Sequence, residues 1–252
     1  MLAVSSPDKA VEQRMRWIPP GAFLMGSRET ERWRYGDEGP QHEVILSRGF
    51  WLGDTPVTQA MWIAVMGRNP SRFRREQPDG LERPVEQVSW DDCQGFISVI
   101  NARVPGLGAR LPTEAEWERA CRAGTTGMTW VGDMADEHDM DELMAIAWYQ
   151  GNSGDETRAV GRKAPNPYGL YDMLGNVWEW CADVAERFGR QYVPSSRSVD
   201  PLGTGVSSLR FHRGGAWDCD AGYVRAAYRN ADPRSRRRSY LGFRLAANHR
   251  AQ

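Results

Sequence analysis

Three sets of residues have types and spacings suited to chemistry. The first is Asp172-Met-Leu-Gly175-Asn-Val177-Trp-Glu179. Two carboxylates flank a glycine turn, and the carbonyls between them can point inward. Calcium takes about six to eight hard oxygens in a flexible loop. The segment therefore reads either as a calcium site or as a turn that Asp172 and Glu179 hydrogen-bond. The second set is the thiols Cys93, Cys121, Cys181 and Cys219. Cys93 and Cys121 fall on apolar helical faces, and Cys181 follows Trp178-Glu-Trp180, so these three read as packing residues. Cys219 is the remaining candidate for thiol chemistry, although a lone cysteine more often packs than reacts. The third set is arginine, because among the 32 basic residues only Lys9 and Lys163 are lysine. Planar guanidinium forks fit carboxylates and carbonyls, so Arg213, Arg225, Arg229 and Arg244 read as structural ties. The run Arg234-Ser-Arg-Arg-Arg238 reads first as a solvated surface loop and second as a patch for an acidic partner. His42, His138, His212 and His249 show no metal-ligand spacing, so a histidine-bound iron site has no support.

Elements must position these groups. Thr58 caps a helix through Met61, Trp62 and Val65 that stops at Gly67. Ser89, with Asp92 three residues on, starts a second helix carrying Cys93, Phe96, Ile97 and Ile100. Thr113 and Glu116 form a capping box for a third, whose apolar face is Ala115, Trp117, Ala120 and Cys121. Strands are expected at Met15 to Met25, broken at Pro19-Pro20-Gly21, then at His42–Leu46 and at Phe50-Trp51-Leu52. Residues 1–13 read as a flexible tail and 14–252 as one domain. Beyond Gly124 the helical pattern fades, apart from a turn near Met140–Ile146. The expected class is α+β with a large irregular fraction.

The composition agrees. The chain has 252 residues with 26 Gly, 15 Pro and 11 Trp, at a net charge of −1. That balance argues against a nucleic-acid coat, and no apolar run approaches the ~18 residues of a membrane span. The start lacks an apolar leader, so the expected compartment is the cytoplasm. Mean hydropathy is −0.61, consistent with a loop-rich fold pinned by tryptophan.

Several segments together resemble the formylglycine-generating-enzyme, or sulfatase-modifying-factor, family. They include Phe23-Leu-Met-Gly26, Asn69-Pro-Ser71, Pro84-Val-Glu-Gln-Val-Ser-Trp90, Arg110-Leu-Pro-Thr-Glu-Ala-Glu-Trp-Glu118, Gly175-Asn-Val-Trp-Glu-Trp180, Arg213-Gly-Gly-Ala-Trp217 and Gly242-Phe-Arg244. They occur in the family's order over roughly residues 15–246. The resemblance implies a C-type-lectin-like α+β fold with a few helices and a small twisted antiparallel sheet. It also implies structural calcium held by the Asp172 and Glu179 side chains and the Gly175 and Val177 carbonyls. In it Trp178 lines the reactive pocket, although a core role suits that indole equally.

The chain departs from the family where the chemistry should be. The resemblance implies copper(I) held by two cysteines that oxidise a substrate cysteine to formylglycine. Cys219 fills the first position, Val224 stands at the second, and Ala216 replaces a serine. Valine cannot ligate copper and alanine cannot hydrogen-bond, so copper is not expected. Some relatives of this fold are diversified by retroelements that replace adenines in Asn codons. Asp218, Cys219, Asp220, Tyr223, Val224, Ser235, Arg236, Arg238, Ser239 and Tyr240 are all reachable in that way. With Trp217 they form the expected contact surface for an unidentified protein or peptide ligand, and no membrane or nucleic-acid partner is expected. The competing expectations are a copper oxidase, or a divergent oxidase using Cys219, and an accessory module of a signalling operon.

Overall fold

The computed structural model describes residues 2–5, 10–74, 80–134, 139–186 and 198–248. Its helices begin where local side chains satisfy free amides. Thr58, Ser89 and Thr113 accept from the amides of Met61, Asp92 and Glu116, opening α1 (Gln59–Met66), α2 (Trp90–Arg103) and α3 (Glu114–Arg122). Asp92 and Glu116 return the bond to the capping residue's own amide, closing two capping boxes. Gly67 ends α1 in the left-handed region at φ 76°. Where only a turn was expected there is a helix, α4 (Asp139–Ile146). Leu143, Ile146 and Ala147, spaced three and four apart, are buried in the core and hold it.

The strands are β1 (Leu2–Ser5), β2 (Ala10–Gln13), β3 (Met15–Ile18), β4 (Gly21–Met25), β5 (His42–Leu46), β6 (Phe50–Gly53), β7 (Ala109–Arg110), β8 (Trp178–Ala185), β9 (Ser198–Val199), β10 (Leu209–Arg213), β11 (Arg229–Pro233), β12 (Leu241–Gly242) and β13 (Ala246–Asn248). They form small sheets ordered β3-β6-β13-β7, β4-β5-β9 and β11-β10-β8-β12. The expected break at Pro19-Pro20-Gly21 divides more than a hairpin. β3 pairs with β6 while β4 pairs with β5, so the chain changes sheets there.

Of residues 1–13, the described ones are 2–5 and 10–13. β1 and β2 pair antiparallel, with Val4 opposite Val11. Leu2 is buried with the α1 and α2 residues, and the buried Gln13 amide donates to Asp54 and Thr55. Backbone pairing and one apolar anchor order a segment too polar to show a pattern.

β8 divides the core. Its side chains alternate between faces. Trp178 and Trp180 join the cluster built by Trp62, Phe96 and Phe243. Cys181 and Ala185 join the cluster around Trp117 and Phe211. Among the described residues no helix is long and apolar enough to cross a membrane.

Candidate functional site

The C-terminal loops rest on a buried arginine frame. Arg213 ion-pairs with Glu118 and donates to the carbonyls of Ala226, Ala227 and Tyr228. Arg225 grips Glu31 and Glu38, and also donates to the carbonyls of Trp33 and Gly222. Arg229 forks onto Glu114. Arg244 spans Glu179, Gly53 O and Tyr171 O. These guanidiniums are buried, so the carboxylates and carbonyls must satisfy them.

The loop after β10 starts with a constrained turn. Gly214 and Gly215 have φ of 101° and 74°. A Cβ at Gly214 would lie 2.9 Å from Met173 O, and one at Gly215 would lie 3.0 Å from Tyr223 O. Ala216 then enters the core. Trp217 packs edge-on against Phe73 at 5.2 Å, and its indole donates to Ser239 O at 3.1 Å. That bond joins the two loops that carry the expected contact residues. Asp218, Asp220, Ser235, Arg236 and Arg238 are exposed, and Trp217, Cys219, Tyr223, Ser239 and Tyr240 are half-buried. Val224 is a correction: at 0% exposure it packs in the core and cannot meet a ligand.

The basic run is more tied down than a solvated loop. Arg234 and Arg237 pair with Asp91 and Asp92 at the start of α2, and Arg236 pairs with Asp232. Sequence reading missed the rest of the surface. Trp33 packs over Gly222, and Tyr35 and Tyr228 contact Tyr223. The signal available was the aromatic pair inside the otherwise charged, turn-rich Gly26 to Gly39.

Cys219 has a weakly reactive environment. Burial, then the neighbouring Asp218 charge, push its thiol up to about 12. Nucleophilic attack needs the thiolate, which burial disfavours here. The other cysteines are buried and free in α2, α3 and β8. Burial pushes Cys121 up to about 12, and raises Cys93 and Cys181 well above the ordinary thiol value. Trp178 is 4% exposed and lies against His212 and Tyr228, with ring centroids at 4.9 and 5.7 Å.

The Asp172–Glu179 segment brings both carboxylates into the interior. Asp172 and Asn176 adopt positive φ, as does Gly175, where a Cβ would meet Trp148 O at 2.3 Å. Asp172 accepts from the Gly161 amide and the Asn176 side chain, and burial pushes it up to about 6. Glu179 accepts the Trp117 indole at 2.7 Å and the Arg244 fork. Among the described residues Asp172 has no ion-pair partner, and no three His, Cys, Asp or Glu side chains group as a metal site. Arg244 and the Trp117 indole occupy Glu179, so Asp172 is the buried hard-oxygen side chain of this segment without a cationic partner among the described residues.

Residues 2–249 match the sulfatase-modifying factor enzyme 1-like domain, and the chain belongs to that family. It is 32% identical over 232 residues to the formylglycine-generating enzyme of Streptomyces coelicolor, covering 86% of this chain and 70% of that protein. It is also 32% identical over 255 residues to the serine/threonine-protein kinase pkn1 of Chlamydia caviae, but spans 37% of that protein against 92% of itself. Among solved structures, Treponema denticola variable protein 1 superposes with a TM-score of 0.83 at 30% identity, covering 98% of this chain and 99% of that one. The fold is the formylglycine-generating-enzyme variant of the C-type-lectin-like fold.

Proposed function

We propose that this chain is a non-catalytic recognition protein that binds a protein or peptide through the loops 217–223 and 235–240. One observation carries the reading. The position of the second reactive cysteine is Val224, sealed in the core, and burial pushes the Cys219 thiol up to about 12. Around it a rigid frame presents Trp217, Tyr223 and charged side chains to solvent, as recognition surfaces do. Similarity to a Treponema variable protein over nearly the whole chain supports a second element, that these loop positions differ between copies of the gene.

The competing reading is a copper oxidase. It is favoured by the identity to the Streptomyces enzyme and by Cys219 in the first cysteine position. Incubation with copper(I), oxygen and a cysteine peptide of the sulfatase type separates the two. Recognition predicts no aldehyde by mass spectrometry, whereas turnover lost in Cys219→Ala overturns it. Structural calcium at Asp172, Gly175, Val177 and Glu179 is part of the proposal, supported by the unpaired Asp172 charge.

A further inference from the structure

Beside Cys219 three tyrosines form an aromatic cluster that the family reading leaves unassigned. Tyr35 and Tyr223 stand near-parallel at 23° with centroids 6.0 Å apart, and their hydroxyls meet at 3.3 Å. Tyr228 lies across both at 78° and 77°, with centroids 5.3 and 5.0 Å away. Tyr35 is 44% exposed, so a ring face is open to solvent. Tyr35 comes from a distant part of the chain, and Arg225, between Tyr223 and Tyr228, brings it to them by anchoring the Trp33–Glu38 segment beneath Tyr228.

The charges around the cluster are mixed, with Arg225 over the Tyr228 ring and Asp220 next to Tyr223. Asp37 acts on Tyr228 and Asp220 on Tyr223, both raising the hydroxyls, after burial and the neighbouring rings. Asp218 and Asp220 are exposed and form no ion pair among the described residues. The adjacent Arg225 and Arg229 are committed to Glu31, Glu38 and Glu114. The face of an electron-rich ring attracts a cation, and uncompensated carboxylates nearby add to that attraction.

We infer that the Tyr35–Tyr223–Tyr228 cluster, with the exposed Asp220, binds a cationic side chain presented by the protein partner. A cation between two rings needs about 7 Å, twice the ~3.5 Å contact distance. The 6.0 Å spacing is too narrow, so the ammonium or guanidinium lies on an outward ring face. The inference rests on the recognition reading and gives its ligand a charge.

The test uses the full chain with ring-labelled tyrosine, followed by NMR. The probes are choline and the uncharged alcohol in which carbon replaces the choline nitrogen. Choline is expected to shift the three tyrosine rings and to bind about fivefold or more tighter than the alcohol. Tyr35→Ala should abolish that preference, Tyr35→Phe should keep it, and Asp220→Asn should weaken it. Equal binding of the two probes, no saturable binding of choline, or a preference that survives Tyr35→Ala overturns the inference. Loop positions that vary between gene copies, with no charge preference here, would leave recognition standing and remove only this ligand class. A charge preference with invariant loops would do the reverse for the variable element.

Discussion

Arg244 carries more of the fold than its short Gly-Phe-Arg context shows. It is fully buried, and its fork neutralises Glu179 while its other nitrogens tie Gly53 and Tyr171. Arg244→Met leaves the buried Glu179 charge unpaired and should cost about 3–5 kcal/mol in urea unfolding. A loss below about 1 kcal/mol would show that the pair is not buried as described. Cys219 makes a prediction in the opposite direction. With its thiol pushed up to about 12, it should alkylate with iodoacetamide far more slowly than a free cysteine near neutral pH. Fast modification would return thiol chemistry to the site.

Glu86 gives a pH prediction at the same scale. Burial pushes it up to about 7, although it accepts the Phe73 amide, and its other carboxylate oxygen has no partner. The fold therefore favours the neutral acid. The stability this contributes is fully present below the ordinary carboxylate value and is lost as pH rises through about 7. Glu86→Gln should raise the urea unfolding free energy more at about pH 8 than at about pH 5, by of order 1–3 kcal/mol. An equal change at both would contradict the burial of Glu86. His212 works the other way. It is fully buried, which lowers it, so its contribution is present above its ordinary value and is lost as pH falls through the lowered one.

At the scale of elements, the turn after β10 sets the contact loop. Gly214→Ala places a left-handed alanine 2.9 Å from Met173 O and 3.1 Å from the Trp117 ring. It should destabilise by about 2 kcal/mol or more, since strain and overpacking add. Calorimetric melting checks this, and an unchanged Tm would show that the loop relaxes elsewhere. Elements differ in how legible they were in the sequence. The three helix starts were readable because Thr58, Ser89 and Thr113 act within three residues. The tail hairpin, the sheet change at Pro19-Pro20 and the burial of Val224 were not, because each depends on partners far along the chain. A valine carries no mark of which side of a loop it faces. Tyr35 and Phe73 were missed for the same reason: they reach the site only through the arginine frame and the packing on Trp217.

At the scale of the molecule, the arginines and tryptophans make a buried frame beneath the contact loops. If calcium completes that frame, chelation should lower the melting temperature, and Glu179→Ala should remove the sensitivity. A melt insensitive to chelator, with metal removal verified, would assign the Asp172–Glu179 turn to hydrogen bonds and Arg244 alone.

A variable recognition surface in place of an oxidase centre has a signature in the gene itself. Sequencing the gene from independent isolates, and from single-cell progeny of one isolate, tests it most directly. Substitutions are expected to concentrate at exposed or half-buried loop positions such as Asp218, Asp220, Tyr223, Ser235, Arg236 and Arg238, with Arg213, Gly214, Gly215, Arg225, Arg229 and Arg244 unchanged. Loops that are identical across isolates while the frame positions drift would contradict it.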